Sequence, residues 1–141
     1  MTDSELSALR QILAGLAPHG RAALLPALHA AQRIFRWIPE PVAAEVARAL
    51  GVPLADVGGV IDFYEMFHRR PVGRTIVRVC SAPICALAGA ESVTQALCHD
   101  LKTELGDITP DGGFTVESAP CLGLCDLAPA VLVGENAVGH A

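Results

Sequence analysis

The chain has 141 residues, of which 52% are apolar, and carries a net charge of −5. That is enough for one domain with a real core, or a small domain with a substantial appendage. No apolar run approaches the roughly 20 residues that span a bilayer, so direct membrane insertion is excluded. Met1-Thr2-Asp3-Ser4-Glu5 lacks the basic start and apolar stretch of a signal peptide, and a cytoplasmic location is expected. The charge is uneven: residues 1–78 hold nine Arg against seven acids, and residues 79–141 hold Lys102 alone against eight. So acidic a second half argues against a nucleic-acid partner.

The first seventy residues read as helices. Ser4 to Ala17 places Leu6, Leu9, Ile12, Leu13 and Leu16 at helical spacing, with Pro18 after the end. A second helix is expected from about Ala22 to Trp37, with Phe35 and Trp37 filling the helical core. A third opens at Pro41 and stops at Gly51, with proline at its entry and glycine at its exit. A fourth runs from about Leu54 to Phe63, weakened by Gly58 and Gly59. Phe63-Tyr64-Glu65-Met66-Phe67, followed by Arg69 and Arg70, forms an aromatic hinge better explained by packing than by a subunit interface.

After Arg70-Pro71-Val72-Gly73 the pattern changes. Thr75 to Val79 is a short β-branched strand that delivers Cys80 at its end. Ala88 to Leu101 reads as a helix, and Pro110-Asp111-Gly112-Gly113 as a turn. Phe114 to Ala119 and Ala130 to Val133 read as strands, with Gly134-Glu135-Asn136 turning the last back toward Ala137-Val138. The predicted class is α+β: a helical bundle over residues 1–70, then an α/β domain over 71–141 with a helix on a mixed sheet.

Five cysteines are present, and four are paired in sequence as Cys80-x4-Cys85 and Cys121-x3-Cys125. Both pairs are expected in loops punctuated by Pro83, Pro120, Gly123 and Pro129. In a reducing compartment such spacing points to metal ligands or redox thiols rather than to structural disulfides. Four thiolates on loops suit a [2Fe–2S] cluster, because small neighbours let main-chain N–H groups approach the sulfurs. Structural zinc, stapling an interaction module, is the reading from another class, since zinc spacings extend to x4. Inert or disulfide-bonded cysteines are the third. The C-x-x-C of dithiol redox chemistry and the C-x4-C-x2-C of plant-type ferredoxins are both absent. Cys98, inside the predicted helix, is expected to be a buried apolar residue, and none of the five scattered histidines has ligand spacing. Residues 44–57 have the outline of a DNA-reading helix–turn–helix, but Arg48 alone faces Glu45 and Asp56 there. An αα-hairpin explains them better.

With those motifs in view, the chain resembles the thioredoxin-like [2Fe–2S] subunit family. The residues that carry the resemblance run through both halves. In the helical half they are Leu24-Leu25-Pro26-Ala27-Leu28-His29, Ile38-Pro39, Ala49 to Val52 and Gly59-Val60-Ile61-Asp62-Phe63-Tyr64. In the second half they are Val79-Cys80 to Cys85, Gly89-Ala90-Glu91, Thr109-Pro110-Asp111-Gly112 and Cys121 to Cys125.

The resemblance implies that Cys80, Cys85, Cys121 and Cys125 ligate one [2Fe–2S] cluster, the first pair on one iron and the second on the other. It implies an electron-transfer role without a substrate site of its own, beside a flavin- and NAD-binding subunit and further iron–sulfur or catalytic subunits. The family's parent assemblies are soluble NAD-dependent formate dehydrogenases (gamma subunit), respiratory complex I (24 kDa subunit) and NAD-linked hydrogenases (diaphorase subunit). The short chain favours formate dehydrogenase among them. Acidic neighbours such as Glu117 and Asp126 are expected to lower the cluster's potential. Two departures from the family are visible. Its members usually carry a further C-terminal helix after the last hairpin, and Gly58 stands where they place a larger His or Tyr.

Overall fold

The computed structural model describes residues 2–141. The chain divides into two compact units between Pro71 and Val72.

The first unit holds α1 (Asp3–Leu16), α2 (Leu24–Phe35), α3 (Glu40–Leu50) and α4 (Leu54–Phe63). Thr2 and Glu5 form a capping box on α1: Thr2 Oγ1 accepts the Glu5 N–H, and Glu5 Oε2 accepts the Thr2 N–H at 2.6 Å. The single helix expected over residues 22–37 is instead a 3-10 segment, Ala17–Ala23, leading into α2. Gly20, at φ 52° and ψ −131°, interrupts the helical path there. α3 starts with Pro41 in its first turn and ends at Gly51 in the left-handed region, as its sequence dictates.

Leu9, Leu13, Leu28, Val42, Val46, Val57 and Ile61 fill the core of this unit. Two expectations for it need correcting. Ile12 is exposed on the outer side of α1, and Trp37 lies beyond α2 and is only half-buried, while its neighbour Ile38 takes the core position. Ile38 is held there by its N–H bond to the His68 carbonyl. Glu45 is the unit's buried carboxylate, and it is held by Arg10 at 2.6 Å and by Arg48. The aromatic segment is divided in its role. Phe67 is buried against His29 with ring centroids 5.0 Å apart, and Tyr64 packs on it edge-on, whereas Phe63 is 77% exposed.

α4 keeps its full expected length despite its two glycines. At Gly58 the guanidinium of Arg69 occupies the space beside the backbone and donates to the Gly58 carbonyl at 2.9 Å, while its Nε holds Asp62 at 2.5 Å. A cation from eleven residues along thus stands where the family's larger side chain would be.

The second unit is a four-stranded sheet with strand order β2-β1-β3-β4. Its strands are β1 (Thr75–Cys80), β2 (Phe114–Ala119), β3 (Val131–Val133) and β4 (Asn136–Val138). β1 and β2 run parallel, joined through α5 (Pro83–Leu87) and α6 (Ala90–Leu101), and the other pairings are antiparallel. α6 packs on β1 and β2, and Val77, Val79, Val116 and Val131 form the core beneath it. The expected α+β class with a helix over a mixed sheet is what the structure shows. The expected helix from Ala88 begins at Ala90, because Gly89 at φ 98° turns the chain between α5 and α6. Ala130 precedes β3 rather than opening it.

The Thr109–Gly113 turn before β2 is closed by side chains. Thr109 Oγ1 accepts the N–H groups of Gly113 and Phe114, and Asp111 Oδ1 accepts the Gly113 N–H at 3.0 Å. Among the described residues, no helix is long and apolar enough to cross a membrane.

Candidate metal centre

The sheet register determines which cysteines meet. Cys80 ends β1 opposite Ala119, the last residue of the parallel strand β2, so Cys121 lies two residues past the end of the neighbouring strand. On the other side of β1, Val79 pairs with Val131, and the Cys80 N–H bonds the Ala130 carbonyl at 3.0 Å. The segment from Cys121 to Ala130 therefore leaves one neighbour of β1 and returns to the other. In doing so it passes across the end of β1, carrying Cys121 and Cys125 over Cys80.

Cys85 was expected in a loop; it sits on α5, a helix of five residues started by Pro83. One helical turn brings its sulfur back toward Cys80. The sulfur of Cys80 interacts with those of Cys85 and Cys121, and Cys85 also feels the charge of Cys125. Cys80 and Cys85 are buried, at 2% and 1% exposure, whereas Cys121 and Cys125 are exposed. All five cysteines are free thiols, which removes the disulfide alternative. Cys98 lies on α6, half-buried rather than fully buried, and takes no part in this group.

Main-chain N–H groups point at the sulfurs. Burial pushes the Cys80 thiol up, but the N–H groups of Ala82 and Leu122 and the neighbouring Cys85 and Cys121 side chains bring it below the ordinary thiol value. The Ala130 N–H lowers Cys85, yet burial, its bond to Cys80 and the charges on Cys80 and Cys125 leave it above that value. Adjacent thiolates repel unless a cation lies between them, so this donor set is chemically suited to a positively charged core. The Gly123 N–H reaches Cys121 Sγ at 3.3 Å, with Gly123 at φ 71°.

Among the described residues, no group of three His, Cys, Asp or Glu is arranged to hold a single metal ion. A buried pair and an exposed pair of thiolates form a donor set whose chemistry fits an iron–sulfur core.

Spacing alone pointed to the four cysteines. The N–H donors carry no sequence signal of their own, because the crossing of the 121–130 segment places them. Pro83 was the one available sign of α5. The expected acidic influence is also smaller than the sequence suggested. Glu117 lies opposite Arg78 in the β1–β2 register and pairs with it at 3.4 Å, so its charge is compensated. Arg74 and Arg78 both belong to the second unit, whose net charge over residues 72–141 is −5. Asp126 remains exposed beside Cys125.

Residues 9–141 match the family described as thioredoxin-like [2Fe–2S] ferredoxin. The chain belongs to that family. Its cofactor is accordingly one [2Fe–2S] cluster, which displaces zinc.

The chain is 41% identical over 123 residues to HndA, a subunit of the NADP-reducing hydrogenase of Solidesulfovibrio fructosivorans, covering 87% of this chain and 72% of that one. It is 40% identical over 119 residues to the E-type subunit of the NADH-quinone oxidoreductase of Pseudomonas aeruginosa, covering 84% of this chain and 72% of that one. A similar solved structure is that of an NAD+-reducing [NiFe]-hydrogenase in the air-oxidised state, with 26% identity and a TM-score of 0.72. That match covers 84% of this chain but 20% of the hydrogenase chain, so the likeness is to one part of a larger polypeptide.

Proposed function

We propose that this chain is the [2Fe–2S] electron-transfer subunit of an NAD-linked assembly of the NADH-quinone oxidoreductase or NAD(P)-reducing hydrogenase type, with Cys80, Cys85, Cys121 and Cys125 as the cluster ligands. The observation that carries this reading is the gathering of four free thiols at the end of β1 by two neighbouring strands and one helical turn. The relatives support this reading over the formate dehydrogenase that chain length favoured. The three described above are named as hydrogenases and a quinone reductase.

A bound [2Fe–2S] cluster supplies storage for a single electron. The protein's residues do the rest. Cys80 and Cys85 would hold the cluster from inside the unit, where Val79, Ala90 and Val131 exclude water. Cys121 and Cys125 would hold it at the surface, the side from which an electron could be exchanged with a partner. The N–H groups of Ala82 and Leu122 lower the Cys80 thiol, that of Ala130 acts in the same direction on Cys85, and that of Gly123 orients Cys121 Sγ.

The partners on this reading are a flavin- and NAD-binding subunit and further redox subunits of the same assembly, located in the cytoplasm. The chain has no substrate site of its own. The test is to mix the cluster-loaded chain with NADH, with and without a flavin-carrying subunit of either assembly type. Reduction of the cluster only when the flavoprotein is present supports the proposal; equal reduction by NADH alone overturns it.

A further inference from the structure

We propose that Ser81 is a positioning residue for the cluster, acting as a side-chain clamp between the two cysteine-bearing strand ends. This rests on the ligand set proposed above. The β1–β2 ladder pairs Cys80 with Ala119 as its last register position. One residue further, Ser81 bonds the Ala119 carbonyl twice, through its N–H at 2.8 Å and through Oγ at 3.0 Å. Ala119 is two residues before Cys121, so that carbonyl is the last fixed point before the second cysteine pair. Ser81 is the residue next to the first.

The Oγ bond adds to the main-chain ladder at its last position. A cavity of about 410 Å³ opens beside them, lined by Cys80, Ser81, Ala86, Glu91 and Ser118 among others. With that space open beside Ser81 and Ser118, the Oγ bond lies at the margin of the sheet rather than within its packed core. The main-chain bond is available to any residue, whereas the Oγ bond needs a hydroxyl. Thr at position 81 could replace it, and Ala could not. Separating the strand ends would draw Cys121, two residues beyond Ala119, away from Cys80 at the end of β1, and the Leu122 N–H that acts on the Cys80 sulfur with it. The hydroxyl is thereby linked to cluster geometry without touching the cluster.

The experiment follows loss of visible cluster absorbance under an iron chelator, in the full chain purified anaerobically, together with the EPR spectrum after reduction. Ser81→Ala should lose its cluster about fivefold faster, the factor carried by one hydrogen bond. It should also broaden the EPR lines, while the urea midpoint of the cluster-free chain falls by no more than the loss of that one hydrogen bond accounts for. Ser81→Thr should restore both readouts. A Ser81→Ala chain with wild-type loss rate and lineshape would overturn the clamp, as would a Ser81→Thr chain no better than Ser81→Ala. Cys121→Ser, run in parallel, separates failure of the clamp from failure of the ligand set. If it keeps a normal cluster, the ligand set itself is wrong. If it loses the cluster while Ser81→Ala behaves as wild type, only the clamp fails.

Discussion

The backbone N–H of Leu122, a residue of the loop that carries Cys121 and Cys125, acts on the sulfur of Cys80 and helps hold that thiol below its ordinary value. The two cysteine pairs, separated by thirty-five residues in sequence, are therefore coupled through a main-chain dipole as well as through any metal they share. Cys85 is linked in the same way to Ala130, which also accepts the Cys80 N–H. The site is a network of backbone donors around four sulfurs, and its geometry depends on the loop conformation.

Gly123 is where that dependence can be tested. Its N–H bonds Cys121 Sγ from φ 71°, a conformation that costs an L-residue about 1 kcal/mol or more. A Cβ would meet open space, so the expected effect of Gly123→Ala comes from the backbone alone. Cluster retention should fall several-fold, while the far-UV circular dichroism of the chain is unchanged. Unaltered retention would show that the loop needs no left-handed residue there.

Thr115 is buried at 1% exposure, and its Oγ1 accepts the Gly73 N–H at 2.8 Å. Thr115→Val keeps the shape and removes the acceptor, leaving a buried N–H unsatisfied. Urea unfolding of the second unit should show a loss of about 1–3 kcal/mol. Gly73 itself admits no side chain, because a Cβ would stand 2.4 Å from the Phe114 carbonyl carbon. Gly73→Ala should therefore destabilise the chain at least as much.

Gly59 offers a change of the opposite sign. It is an exposed residue inside α4, and a Cβ added to it would meet nothing within 4 Å. Gly59→Ala should stabilise the helical unit by about 0.5–1 kcal/mol, read as a rise of a few degrees in the thermal midpoint. A fall would mean that the glycine serves a purpose other than the helix.

Two exposed carboxylates contribute to the acid limb of stability. The hydrogen bond from Arg69 holds Asp62 below its ordinary value of 3.8, and the bonds from Thr109 and Gly113 do the same for Asp111. Groups depressed in the folded state contribute stability above the ordinary value and lose it as the pH falls through the folded one. The urea midpoint should therefore drop as the pH is lowered from about 4. Asp62→Asn and Asp111→Asn should each flatten that drop, and an unchanged slope in both would contradict the assignment.

The sequence made the delimited elements plain. Proline at the entry and glycine at the exit marked α3, and runs of β-branched residues marked β1 and most of β2. It concealed α5, because five residues are too few to show periodicity and Pro83 was its single mark. It suggested Ile12 and Trp37 for the core by spacing and size, but packing preferred their neighbours Leu13 and Ile38. The four cysteines proposed as ligands were readable as residue types at a spacing. The donors from Ala82, Leu122 and Ala130 were not, because main-chain N–H groups are the same in every sequence and only the register of β1 with β2 and β3 brings them to the sulfurs. Chain length was a poor guide to the parent assembly, since the motifs are shared among all of the family's assemblies.

The most direct measurement is iron and zinc analysis with EPR after dithionite reduction, on the anaerobically purified chain and on the five single Cys→Ser variants. The expected result is about two irons per wild-type chain, no stoichiometric zinc, and the signal of a reduced [2Fe–2S] cluster. Cys98→Ser should match the wild type, and replacement of Cys80, Cys85, Cys121 or Cys125 should abolish or alter the signal. Stoichiometric zinc in a colourless, EPR-silent protein, or equal loss from Cys98→Ser and Cys121→Ser, would contradict the four-thiolate cluster.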